Sequence, residues 1–96
     1  MTALMQHRLA ALEQANIARF ARAGVKRELR AREITLEQAL FDPRASGCPI
    51  YDLLICRRGI GDTKAKRTLM RLRIRENRRC RELTDREKHQ ILWELS

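Results

Sequence analysis

The residues best suited to bind a ligand lie between Arg57 and Arg81, where a glycine-flanked turn precedes a dense basic run. Gly59 and Gly61 enclose Ile60, and two glycines around an aliphatic residue permit a tight non-helical turn with its side chain in the core. Such a turn ahead of a helix gathers backbone N–H groups at a positive dipole end, where anions bind. Glycine matters because a side chain would hold a phosphate away from the amides.

The basic side chains around this turn indicate the class of ligand. Eleven Lys and Arg residues stand between Arg57 and Arg81, opposed only by Asp62 and Glu76, so this quarter of the chain carries the whole net charge of +9. The candidate binding side chains are Lys64, Lys66 and Arg67 in the first turn of the next helix, and Arg78, Arg79 and Arg81 in the connector beyond it. This asymmetry predicts a polyanionic partner held by its phosphate backbone, a mode of contact that does not read sequence.

Catalysis, metal binding and nucleotide hydrolysis find no support in the sequence. Neither His7 nor His89 has a nucleophile or a carboxyl group at a recognisable spacing. Cys48, Cys56 and Cys80 form no C-x-x-C pair, so we expect no zinc site and three reduced, mostly buried thiols. The glycine turn lacks the spacing and the G-K-[ST] ending of a P-loop. We therefore predict a binding protein with no catalytic residues, no metal and no cofactor.

The chain of 96 residues is expected to form a single domain in the cytoplasm. Its apolar runs are too short for a membrane span, and its N-terminus does not resemble a secretory signal. The reduced thiols suit the same compartment. No membrane partner is therefore expected.

The helices that carry these residues are marked by local signals, and the predicted fold is all-α with about five helices. Residues 1–33 have the composition of one long helix. Thr35 and Thr84 each begin a capping-box pattern, which predicts a short second helix and a last helix from 85 to about 95. Pro49 suits the first position of a central third helix, and Asp62 or Thr63 is expected to cap a fourth running to about 72. The segment 42–48 has the composition of a surface connector.

The long first helix has an apolar stripe that does not extend along its whole length. The stripe consists of Met5, Leu9, Leu12, Ile17, Phe20 and Ala23. Beyond Gly24 this stripe is lost, since Val25 and Leu29 point to nearly the opposite side. Either the helix bends at Gly24, or its last turns project from the core and contact something else.

Taken in order, these segments resemble the actinobacterial integration host factor family from about Ala10 to Leu95. The resemblance is carried by ALEQANIARFARAGVKRELR, TLEQAL, YDLLICRRGIGDTKAKRTLMRLRI and RRCRELTDREKHQILWEL. It implies a long N-terminal helix (1–33) packed on a helix-two-turns-helix domain (34–96). It also implies a nucleoid-associated protein that binds double-stranded DNA with little sequence preference, bends or shapes it and assists site-specific recombination. A site-specific recombinase is then a second expected partner, and we expect a monomer in solution.

The resemblance places the family's double turn on Gly59, Ile60 and Gly61, followed by the basic residues of the next helix. Its arginine cluster falls on Arg78, Arg79 and Arg81. It also implies a second, lid-like DNA contact at Lys26, Arg27, Arg30 and Arg32. The chain departs from the family at Cys80, where an aliphatic residue is common, and in the 42–48 segment.

Two other partners fit the same residues. A glycine turn of this kind also binds RNA phosphates, which suits an RNA-binding or ribosome-associated module. The chain lacks the exposed aromatic residues that stack unpaired bases, and this leans weakly against RNA. The other alternative is an adaptor whose basic face meets an acidic protein.

Overall fold

The structure, a computed structural model, describes the backbone of residues 3–95 and the side chains of residues 16–95. Residues 3–95 form five α-helices: α1 (Ala3–Arg30), α2 (Leu36–Leu40), α3 (Ile50–Cys56), α4 (Asp62–Arg71) and α5 (Asp85–Leu95). Single 3-10 turns occupy Pro43–Ala45 and Cys80–Glu82. Over 3–95 the only β-type pairing is one isolated antiparallel bridge between Pro49 and Arg79. The all-α fold predicted from the sequence is therefore confirmed.

Two helix starts follow directly from the capping boxes in the sequence. At α2 the amide of Gln38 donates to the Thr35 hydroxyl at 3.1 Å, and the Gln38 side chain accepts from the Thr35 amide at 2.8 Å. Thr84 and Glu87 make the same reciprocal pair at the start of α5. Each box satisfies two amides that a helix start otherwise leaves unpaired, which is why these boundaries could be predicted.

Helix α3 lies at the centre of the fold. Ile50, Leu53, Leu54 and Cys56 are all buried, and only Ile55 among its aliphatic residues is substantially exposed. Pro49 is the N-cap residue of α3, and its side chain makes no capping hydrogen bond. Helices α1, α2 and α4 all pack against α3. The two ends of α3 therefore fix the positions of the segments discussed below.

Helix α1 packs through the side opposite to the one its apolar stripe predicts. Val25 and Leu29 are fully buried, whereas Ile17 and Phe20 are 67% and 75% exposed. The helix continues through Gly24, so its last turns enter the core and do not project from it. A 28-residue helix is about 42 Å long. The molecule measures 53 × 28 × 22 Å, so α1 is longer than either of its two shorter dimensions. Among its described side chains, residues 16–20 are exposed, and burial begins further along the helix with Val25 and Leu29. The side chains of Met5, Leu9 and Leu12 lie outside the described residues.

The segment between α2 and α3 is not a surface connector. Ala45 and Cys48 are buried, and the 3-10 turn there packs against α1. The Arg44 guanidinium bridges Asp42 at 2.8 Å and Glu28 of α1 at 2.6 Å. These hydrogen bonds lower the pKa of both carboxyl groups. The segment therefore helps to anchor α1.

Arginine ends two helices at a position that usually belongs to glycine. Arg32 and Arg73 have φ of 59° and 58°. At the end of α1 the Arg32 amide donates to Leu29 at 3.2 Å and the Glu33 amide to Glu28 at 2.9 Å, the Schellman pattern. The same two bonds close α4. A left-handed conformation costs an L-residue about 1–2 kcal/mol, so both sites carry strain that glycine would relieve.

Candidate nucleic-acid interface

The glycine turn lies between α3 and α4 and presents its backbone to solvent. The Ile60 side chain is buried, as predicted, and anchors the turn to the core. Gly59 has φ of +93°, a conformation that disfavours any side chain. Gly61 has ordinary extended angles, and a Cβ there would meet nothing within 4 Å. Because the Ile60 amide donates to the Arg57 carbonyl at 3.2 Å, it is not available to an anion.

The amides available to an anion are those of the first turn of α4. The helix begins at Asp62, two residues earlier than predicted, and Gly61 is its N-cap. Neither Asp62 nor Thr63 caps it, so that prediction was wrong. Both residues are already inside the helix, where their side chains do not reach back to the first amides. The N-terminus of α4 therefore offers backbone donors with no side-chain acceptor of their own.

An acidic residue occupies the same helix start. The Asp62 carboxylate accepts a hydrogen bond from the Tyr51 hydroxyl and lies 3.5 Å from Lys66. The hydrogen bond raises the pKa of Tyr51 to about 12 and lowers the pKa of Asp62. Lys66 also lies 6.0 Å from the centre of the Tyr51 ring. The structure thus pairs one of the candidate lysines with an internal anion.

Two other basic residues in the first half of α4 extend into solvent, whereas Arg71 at its end pairs with Glu94 at 2.7 Å. Lys64 and Arg67 are exposed, while Ala65 and Leu69 turn to the core. Neither basic side chain has a hydrogen bond or ion pair to the described residues. Lys64 and Arg67 are thus exposed on the helix that directly follows the exposed Gly59 and Gly61.

The second arginine group lies at the other end of α3. The Ile50 amide donates to the Arg78 carbonyl at 2.7 Å, and the Cys80 amide donates to Cys48 at 3.0 Å. The segment that looked like a connector is therefore fastened to the N-terminus of α3. The seven residues of α3 separate it from the glycine turn by about 10 Å.

The three arginines in this segment have different environments. Arg78 donates to Glu87 at 2.8 Å and to the Glu82 carbonyl, so its charge is already paired. Arg79 donates to the Gly47 carbonyl and is partly buried. Arg81 is exposed, and its side chain has no hydrogen bond to the described residues. Among these three, Arg81 has the guanidinium most available to an anion.

The proposed lid-like group at the end of α1 is also divided. Lys26 lies 3.9 Å from Asp52 of α3 and is partly buried. Arg27 and Arg30 are exposed on the last turns of α1. Arg32 lies beyond the helix and shares a cavity with Arg57 and Arg58. It is therefore next to the glycine turn, although 25 residues separate it from Arg57 in sequence.

Sequence reasoning did not single out Arg22, Arg57 or Arg58. Arg22 lines a groove with Arg79 and Arg81 and lies 3.4 Å from the Gly47 carbonyl. Its helical spacing of four from Lys26 was the one sequence signal that it shares a face with that residue. For Arg57 and Arg58 the signal was their position directly before Gly59.

Cys80 is accommodated as an aliphatic residue would be. It is 1% exposed, and burial raises its pKa to about 12. Cys48 and Cys56 are buried as well, and none of the three forms a disulfide. Because the thiolate is the nucleophilic form, this raised pKa lowers the reactivity of the Cys80 thiol. No metal-binding group of His, Cys, Asp or Glu occurs within the described residues. None of the helices described is both long and apolar enough to cross a membrane.

The comparison with solved structures gives one informative match. The chain is similar to sIHF in a structure of that protein bound to an 8 bp palindromic DNA, with a TM-score of 0.73 and 30% sequence identity. The match covers 88% of this chain and 99% of the sIHF chain. No protein-family model and no curated protein sequence matches the chain.

The fold and the glycine turn thus define an all-helical protein of the integration host factor type. At this identity, and with nearly the whole of sIHF covered, the chain belongs to the sIHF family.

Proposed function

We propose that this protein is a nucleoid-associated architectural protein that binds double-stranded DNA through its phosphate backbone with low sequence specificity. The observation that carries the proposal is the match to sIHF, which extends over almost all of the sIHF chain. In that structure sIHF is bound to DNA. The exposed amides at the start of α4 and the excess of positive charge support it. We further propose that residues 1–96 act as one DNA-binding domain in the manner of the actinobacterial branch of the family.

The proposed contacts follow the exposure of the side chains. Gly59 and Gly61 allow close approach of a phosphate to the first amides of α4. The side chains proposed to contact further phosphates are Lys64, Lys66, Arg67, Arg79 and Arg81, with Arg27, Arg30 and Arg32 as a second group. Arg78 and Lys26 are proposed to hold their segments in place, because each is partly buried as well as paired with a carboxylate, whereas Lys66 is exposed. Ile60 supports the turn from inside.

Two features of the proposed function lie beyond the contact itself. The protein bends or shapes the duplex and assists site-specific recombination by a recombinase. It acts as a monomer in the cytoplasm, at the nucleoid. These proposals rest on membership of the family, and a ligation-mediated circularisation assay with short duplexes tests the bending.

The binding itself is tested by its dependence on salt. If only the first group of side chains neutralises about five phosphates, the logarithm of the association constant falls with a log–log slope of about −4.5 for random duplexes, and contacts of the second group steepen it. Arg67→Gln should reduce this slope by about 0.9, equally for random and A·T-rich duplexes. Arg86→Gln, which removes one charge from the exposed side of α5, is the matched control. An affinity that hardly changes with salt would refute the proposal.

An RNA partner remains the alternative because backbone amides and arginines also suit RNA phosphates. Competition between a random duplex and a structured RNA hairpin at equal salt separates the two. Stronger displacement by the hairpin would favour the RNA-binding function.

A further inference from the structure

A cavity beside the glycine turn contains three arginines and an apolar floor. It measures about 340 Å³ and lies between the end of α1 and the α3–α4 turn. The residues that line it are Leu29, Arg32, Ile34, Thr35, Arg57 and Arg58. This volume is within the range of pockets that hold small ligands.

The three guanidinium groups of this cavity have no internal partners. Within the described residues, none of Arg32, Arg57 and Arg58 takes part in an ion pair or a side-chain hydrogen bond. Arg44 and Arg71, by contrast, each pair with a carboxylate at 2.8 Å or less. Three unpaired arginines that meet at one cavity repel one another, so an anion between them is favourable. Their planar forks match the oxygens of a phosphate.

Arg32 and Arg73 share the same left-handed backbone, and of the two only Arg32 lines the cavity. Its φ of 59° places an arginine where glycine would be less strained. The Arg32 side chain lines the cavity together with Arg57 and Arg58.

The remaining lining residues define the rest of the ligand. Leu29 is buried and Ile34 half-buried, so the cavity has an apolar side next to its three charges. The Thr35 hydroxyl is already used to cap α2. The acidic side chains nearest in sequence, Glu33 and Glu37, are both exposed. A phosphate attached to a less polar group, such as a sugar and base, fits this combination.

We infer that the cavity binds the phosphate ester of one nucleotide unit, with Arg32, Arg57 and Arg58 on the phosphate and Leu29 and Ile34 against the sugar or base. The nucleotide belongs either to the backbone of a bound duplex, in which case the inference rests on the proposed function, or to a free nucleotide. The phosphate chemistry is the same in both cases. The cavity would join the end of α1 and the glycine turn into one binding surface.

The test uses a pair of variants that match in charge and in backbone effect. Arg32→Gly and Arg73→Gly each remove one exposed arginine from a left-handed position, so both should raise the melting temperature. Arg73 does not line the cavity. Arg57→Gln is a third variant that leaves the backbone unchanged. Each is titrated with a fluorescent random duplex over a range of salt, and by calorimetry with adenosine 5′-monophosphate.

We expect Arg32→Gly and Arg57→Gln each to reduce the salt slope for the duplex by about 0.9, whereas Arg73→Gly leaves it unchanged. If the wild type binds the free nucleotide and not the duplex, and Arg32→Gly weakens this binding at least fivefold, the cavity stands and the proposed function falls. If the wild type binds duplex and all three variants behave alike towards both ligands, the cavity inference is overturned and the proposed function remains. Absence of binding to either ligand overturns both.

Discussion

The acidic residue at the start of α4 gives the sharpest prediction about affinity. Asp62 lies in the helix turn that we propose binds phosphate, where its negative charge opposes the ligand. It also pairs with Lys66 at 3.5 Å, and both side chains are about half exposed. Asp62→Asn removes the repulsion and releases the lysine, with little change in side-chain shape. The variant should therefore bind duplex DNA more tightly than the wild type.

The size of this gain follows from the exposure of the carboxylate. In water a unit charge at contact distance changes an equilibrium constant by about fivefold, and the effect decreases with separation. With Lys66 released as well, we expect a gain of about threefold to tenfold at low salt. The salt slope should also steepen, because Lys66 no longer divides its charge between Asp62 and the phosphate that we propose it contacts. The gain should shrink towards physiological salt as screening increases.

The assay is fluorescence anisotropy with a random duplex at several salt concentrations. Asp85→Asn is the matched control because Asp85 is also the first residue of a helix, α5, and carries the same charge. Ultraviolet titration of Tyr51 gives an internal check, since its pKa of about 12 depends first on the hydrogen bond to Asp62. In Asp62→Asn this pKa should return towards its ordinary value of 10.0. Equal gains in both variants would show that only net charge matters, and weaker binding by Asp62→Asn would refute the reasoning.

Three further predictions concern the fold. Arg78→Ala should lose about 1–2 kcal/mol of stability, lowering the melting temperature by about 4–8 °C per kcal/mol, because it breaks bonds to Glu87 and a carbonyl; an unchanged melting curve would contradict this. Leu29→Ala should cost about 2–5 kcal/mol in chemical denaturation, and Phe20→Ser less than about 0.5 kcal/mol; the reverse order would restore the apolar stripe as the packing face. Glu87 has a pKa below its ordinary 4.5, first through its bond to the Thr84 amide and then through Arg78. Its stabilisation is therefore present above that value and is lost as pH falls through the lowered pKa, so Glu87→Gln should cost about 1 kcal/mol at neutral pH and flatten the acid limb of the stability curve. If the acid limb of the stability curve were as steep in Glu87→Gln as in the wild type, the stabilising role of the Glu87 carboxylate would be contradicted.

The parts of the fold that were predictable from the sequence depend on neighbouring residues. Thr35 and Thr84 each cap a helix with a partner three residues away, so the pattern is visible in the sequence. The burial of Ile60 follows in the same way from the glycines beside it. The apolar face of α1 was not predictable, because the sequence does not show how much of a long helix the remaining chain covers. The exposed apolar residues of α1 are spaced as regularly as the buried ones, so spacing alone does not identify the packed face.

The pairing of charged side chains was equally impossible to predict from the sequence. Arg78 belongs to the same basic run as Arg81, yet one is bonded to α5 and the other extends into solvent. That difference depends on the path of the chain after Cys80, which brings Glu87 back to Arg78. Arg32 and Arg57 meet for a similar reason, since α1 and α3 run side by side. Composition located the charge, but only the tertiary structure shows which charges are available.

The fastening of the arginine segment to α3 has a thermodynamic consequence. Four backbone hydrogen bonds join residues 76–81 to residues 46–51 before any ligand is present. Fixing the backbone of a disordered residue costs about 1–2 kcal/mol, and a basic tail would meet this cost for each residue that it orders on a polyanion. Here the cost is met when the protein folds. Association at this segment should therefore proceed with a small heat-capacity change and little loss of chain entropy, unlike the coupled folding of a basic arm.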